Sequence, residues 1–82
     1  MNTFEEKFRI LLIELGPSLT AMDLQQVQEL VDANELGVAF ENFCTQLFER
    51  DAVSSRDQLD QIVTLGAAMG ISQEYWNHLV AT

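Results

Sequence analysis

Apolar residues recur at every third or fourth position in four successive windows of this chain, and each window closes on residues that do not readily continue a helix. In the first, Phe4, Phe8, Leu11, Leu12 and Leu15 share a face, Thr3-Phe4-Glu5-Glu6 reads as a capping box, and Gly16-Pro17 ends the run, with Gly16 able to take a left-handed terminal position. Ile10 and Ile13 lie off that stripe, so either a second helix covers them or they form a contact surface. In the second, Thr20 caps, Asp23 sits in the first turn, and Leu19 is placed to staple onto Leu24. Leu24, Val27, Leu30 and Val31 form its inner face, and Asn34, which accepts left-handed geometry, is the expected stop.

The third window, from about Glu35 to Arg50, aligns Leu36, Ala39, Phe40, Phe43 and Leu47 on one stripe flanked by Cys44 and Phe48. Val38, Glu41, Asn42, Thr45 and Glu49 face away from it. The fourth opens at Ser55, with Gln58 at the third helical position, and has Leu59, Ile62, Val63, Leu65 and Met69 as its apolar side. Gly66 falls amid that apolar side, where it predicts the close approach of a neighbouring backbone. Gly70 stops the helix, Ile71 supplies the usual hydrophobic contact, and a short helix from Ser72 brings Tyr75, Trp76 and Leu79 to the end of the core. No strand alternation or hairpin signal appears. The expected fold is therefore all-α, a compact bundle of four helices plus a short C-terminal helix, with residues 1–82 forming a single domain.

Composition bounds the function. At 48% hydrophobic residues the chain is too apolar for a disordered acidic tail. Thirteen Asp and Glu against four Lys and Arg leave a formal charge of -9, and the sequence pI is about 4.1. That balance argues against nucleic acid and against an anionic membrane surface as partners, since both need a basic face. It favours a basic protein partner, attracted over a distance that salt shortens. The charge is also one-sided: between Ile10 and Glu49 stand seven acids (Glu14, Asp23, Glu29, Asp32, Glu35, Glu41, Glu49) and no base. Such a stretch costs stability by repulsion, and faster encounter with a cationic partner would compensate; solubility alone is the alternative explanation.

Catalytic candidates are sparse. His78 is the only histidine and stands in a terminal amphipathic segment, the setting of an edge residue. Cys44, the only cysteine, has no Lys, Arg or His near it in sequence and reads as a small buried hydrophobe. A lone cysteine forms no intramolecular disulfide, which suits a reducing cytoplasm. The first residues show no basic stretch leading into an apolar run, and no membrane-spanning stretch occurs, so neither export nor insertion is expected. The acids do not fall into the spacing of a calcium loop, and Asp57 and Asp60 read as solvated charge. Ser54-Ser55 lacks the Asp-Ser-Leu attachment site of the acyl carrier proteins, which are also small, acidic and helical. No metal, cofactor or enzymatic activity is expected.

The segment from Glu29 to Glu49 resembles the central motif of the MafI-like immunity proteins, small helical proteins encoded beside secreted or contact-delivered bacterial toxins. The resemblance rests on Glu35, Gly37, Ala39 and Glu41, then the apolar pair Phe43-Cys44, Leu47, Phe48 and Glu49. It continues through Met69-Gly70-Ile71 to Trp76 and Leu79, over most of the chain. Where that motif commonly has a glycine and a tyrosine, this chain has Asn34 and Phe48. Phe48 keeps the ring but loses a hydroxyl that could bond a partner.

The resemblance implies a cytoplasmic protein that binds the toxic domain of a cognate effector, often a nuclease, one to one. A nuclease presents a positive surface to phosphates, which an acidic helical protein is suited to cover; colicin-type immunity proteins are similarly small and acidic. The residues expected to meet the toxin are Asp32, Glu35, Glu41, Asn42, Thr45 and Glu49, around an apolar or aromatic anchor. For Glu35 a capping role is the alternative reading, and Gly37 and Ala39 read as places where another helix packs close. A helical adaptor or subunit of some other complex is the competing function.

Overall fold

The computed structural model describes residues 3–81; Met1, Asn2 and Thr82, which the single-domain reading of residues 1–82 includes, lie outside the described residues. The described residues form four α-helices: α1 (Thr3–Leu15), α2 (Ala21–Asp32), α3 (Leu36–Glu49) and α4 (Arg56–Ala68). One-turn 3-10 segments occupy Gly16–Ser18 and Gln73–Tyr75. α2 packs along α3, α1 against α4, and the Gln73–Tyr75 turn against α3. The fold is the all-α bundle expected, and the described residues contain no strand.

Local chemistry sets the boundaries. Thr20 caps α2, its Oγ1 accepting from the Asp23 backbone N–H at 3.1 Å. Ser55 caps α4 in the same way from Gln58 N–H, also at 3.1 Å. The Gln58 Oε1 accepts from both the backbone N–H (2.9 Å) and the hydroxyl (3.1 Å) of Ser54, the reciprocal half of a capping box moved one residue outward. Thr3 already lies within α1 rather than capping it.

Three helices end alike. After α2, α3 and α4 one residue turns left-handed, Asn34 (φ 63°), Asp51 (φ 47°) and Gly70 (φ 73°) respectively. The next residue then donates back to the helix: Glu35 N–H to Leu30 C=O (2.9 Å), Ala52 N–H to Leu47 C=O (3.0 Å), Ile71 N–H to Gly66 C=O (2.9 Å). These are Schellman motifs, and they satisfy carbonyls that a helix end would otherwise leave bare. α1 differs. Gly16 is not left-handed; it is buried where an added Cβ would lie 3.2 Å from the Leu24 side chain, so packing against α2 and the rigid Pro17 shape this corner.

The core is built on Phe8, Phe40 and Phe43, all fully buried, with ring centroids 5.3 to 6.4 Å apart in tilted and edge-on arrangements. Leu11, Leu15, Val27, Val31, Leu47, Val53 and Ile62 close around them. Leu24 and Leu30, expected inside, are only partly buried against this cluster, and Phe4 stands at its margin.

One expectation changes near the C-terminus and one is sharpened. The short C-terminal helix is a single 3-10 turn, with Leu79 and Trp76 both on the core within a few residues of the Gly70 reversal. Gly66 is approached by side chains, not by backbone: a Cβ there would lie 2.8 Å from Trp76 Cδ1 and 3.1 Å from Phe40 Cε1.

Candidate protein-binding surface

α3 turns its aromatic stripe inward and leaves the opposite arc to solvent. At 3.6 residues per turn, Val38, Glu41, Asn42, Thr45 and Glu49 fall within an arc of roughly 100°. Val38 is 50% exposed, Thr45 and Glu49 are exposed, and Glu41 and Asn42 are half-buried at the edges. Phe48 borders the arc and is 56% exposed, its ring 6.1 Å from that of His78 and inclined at 60°. It flanks the core on a wheel, but Leu47 fills the buried position and turns Phe48 outward.

The polar groups of this face are lightly committed. Thr45 Oγ1 donates to the Glu41 backbone carbonyl at 3.0 Å, and Asn42 Oδ1 accepts from Gln46 Nε2 at 3.5 Å. Glu35 stands at the N-cap of α3, where its carbonyl accepts from Ala39 N–H (2.9 Å) but its side chain makes no capping bond. The structure thus brings Glu41, Asn42, Thr45 and Glu49 together, with Glu35 at the head of the same helix.

Asp32 is placed differently. At the end of α2 it holds Arg9 of α1 at 2.9 Å, and Arg9 reaches Glu5 at 3.3 Å as well. These bonds, Asp32 first, raise the affinity of the Arg9 guanidinium for its proton. Asp23 likewise meets Arg50 at 3.2 Å. The seven-acid stretch is therefore partly neutralised by the two bases that flank it in sequence, and Glu41 and Glu49 remain as the acids of the α3 face.

Geometry also bears on chemistry. Glu41 and Glu49 are eight residues apart, about 12 Å along the helix, too far to exchange a proton. Cys44 lies on the buried side of the same helix; burial and then the charge of Glu41 push its thiol from its ordinary 9.0 up to about 12, so it is protonated and shielded at neutral pH. Gly37 is not a close helix contact, since a Cβ there would meet only Ile71 Cδ1 at 3.8 Å, whereas Ala39 is fully buried. An anionic helix face with an exposed valine and phenylalanine is suited to docking a cationic surface. The polar residues of this arc are ones the sequence places outward, together with Val38; the exposure of the Phe48 ring is what the helical wheel left open.

Among the described residues, no helix is long and apolar enough to cross a membrane. No protein family, no curated protein and no solved structure matches the chain.

Proposed function

We propose that this chain is an immunity protein of the MafI-like kind, which neutralises a cognate bacterial toxin domain by forming a one-to-one complex in the cytoplasm. The observation that carries the reading is the α3 face, where Val38 and Phe48 are exposed beside Glu41 and Glu49 on a helix without a single cation. A basic toxin, a nuclease above all, offers the complementary surface: lysines and arginines shaped to hold phosphates. Attraction between the two raises the rate of encounter, while the apolar anchors hold the complex once formed. The resemblance of the Glu35 to Glu49 motif supports the same reading from the sequence side.

The test is affinity capture from the native host at low salt, followed by co-expression of whatever basic domain is recovered. The expected result is one basic toxin domain in equal amount, whose toxicity this chain suppresses. Recovery of a housekeeping assembly, or a captured toxin that still kills, would overturn the proposal.

A further inference from the structure

The α1/α4 side of the bundle differs from the α3 face in both shape and charge. An open groove of about 370 Å³ runs between the two helices, floored by Leu11 and Leu65 and walled on the α1 side by Phe4 and Ile10. Ile10 is 53% exposed, and Ile13, one helical turn further along α1, is 77% exposed.

Charge selects the occupant. α2 and α3 hold five acids (Asp23, Glu29, Asp32, Glu41, Glu49) and no base, whereas α1 and α4 hold three bases (Lys7, Arg9, Arg56) against Glu5, Glu6, Glu14, Asp57 and Asp60. The groove lining carries one charge of each sign, Lys7 and Asp60. A second copy, at -9, is repelled by the acidic α2 and α3 side and least by this one, where bases offset more of the acids and the groove lining itself is neutral. A surface that offers both protruding aliphatics and a groove can also be complementary to itself, as a two-fold contact requires.

We propose that two copies associate through this face, α1 and α4 of one against α1 and α4 of the other, with Ile10 and Ile13 of each covering the partner's groove. Two 13-residue helices side by side present roughly 20 × 20 Å. The buried area therefore sits at the lower end for specific complexes, the size of weak and transient ones. The contact shares no residue with the α3 face and does not depend on the toxin reading.

Sedimentation equilibrium of the full chain from about 10 µM to about 1 mM tests the dimer directly. The expected mass rises from 9.3 kDa toward twice that with concentration, and association tightens with salt because screening weakens the repulsion between like-charged copies. Ile10→Asp and Ile13→Asp, at exposed positions and with unchanged helical circular dichroism, should each weaken the dimer by about tenfold or more. Glu41→Lys on α3 should not weaken it. A monomer throughout would leave the face to a different protein and overturn the proposal. So would a dimer indifferent to both isoleucine variants, or one broken by Glu41→Lys.

Discussion

The indole of Trp76 lies on Gly66, so close that a methyl group on that glycine would come within 2.8 Å of Cδ1 and 2.9 Å of Nε1. The contact ties the segment after the Gly70 reversal to the middle of α4. It leaves the Nε1 proton buried without an acceptor among the described residues, a cost of about 1–3 kcal/mol that burial of the ring must offset. Gly66→Ala should therefore destabilise the fold by about 1–3 kcal/mol, although alanine is the better helix former by about 1 kcal/mol. Emission from Trp76, the only tryptophan, should shift to the red as the ring is displaced. In a Trp76→Ala background the same substitution should lose most of its cost. Equal destabilisation in both backgrounds, measured by urea unfolding, would show that the indole is not the obstacle.

Gly37 is the counter-case. In the first turn of α3, a methyl group on this glycine would meet only Ile71 Cδ1, at 3.8 Å, so there is room for a side chain. Gly37→Ala should raise stability by about 0.5 kcal/mol through helix propensity alone. A loss of stability in the same unfolding assay would mean that the glycine serves a packing role the geometry does not explain.

What could be read from the sequence was what depends on neighbours in the chain. Thr20, Ser55, Asn34 and Gly70 act within a few residues of themselves, and each has the cap or stop expected of it. The aromatic stripe of α3 was legible for the same reason: one helix's periodicity decides which side is buried. Long-range relations were not. That Gly66 receives an indole, that Gly16 lies beneath Leu24, and that Asp32 and Asp23 meet Arg9 and Arg50 across 23 and 27 residues depend on how helices are arranged, which local pattern leaves open. Phe48 was ambiguous on the wheel because it borders both the buried and the exposed arcs.

Asp51 ends α3 in left-handed geometry at φ 47°, where an L-residue costs about 1–2 kcal/mol and a carboxylate faces the negative end of the helix dipole. Asp51→Gly removes both penalties, against the greater backbone entropy that glycine loses on folding. The net gain should be about 0.5–1 kcal/mol, and Asn34→Gly should gain less because asparagine tolerates this region. Thermal melts at neutral pH decide the matter; an unchanged melting temperature for Asp51→Gly would count against strain at this turn.

Cys44 should be inert in the native state and coupled to folding at high pH. The thiol is fully buried and held near 12, so alkylating reagents at about pH 8 should modify it only on unfolding. In the unfolded chain it ionises near its ordinary 9.0, so between about 9 and 12 the unfolded state has given up a proton that the folded state keeps. Stability then falls as pH rises through that window, by at most about 1.4 kcal/mol per pH unit from this group. Comparing urea unfolding of the wild type and Cys44→Ala from about pH 8 to about 11 isolates the effect, because other groups titrate equally in both. Parallel curves would contradict the burial assigned to the thiol.

The α3 face makes its own prediction for the proposed toxin complex. Reversing Glu41 and Glu49 together to lysine changes the local charge by four on a helix with no other ionised group, so association with a basic partner should slow by about tenfold or more at low salt. Dissociation should change less, since Val38 and Phe48 remain, and helical circular dichroism should be unaffected. Phe48→Ala should do the reverse, quickening dissociation with little effect on encounter. Reversal of Asp32 should slow association less, because Arg9 already offsets its charge at 2.9 Å. Stopped-flow kinetics at two salt concentrations separates these cases, and association rates indifferent to the Glu41 and Glu49 reversal would move the binding surface off α3.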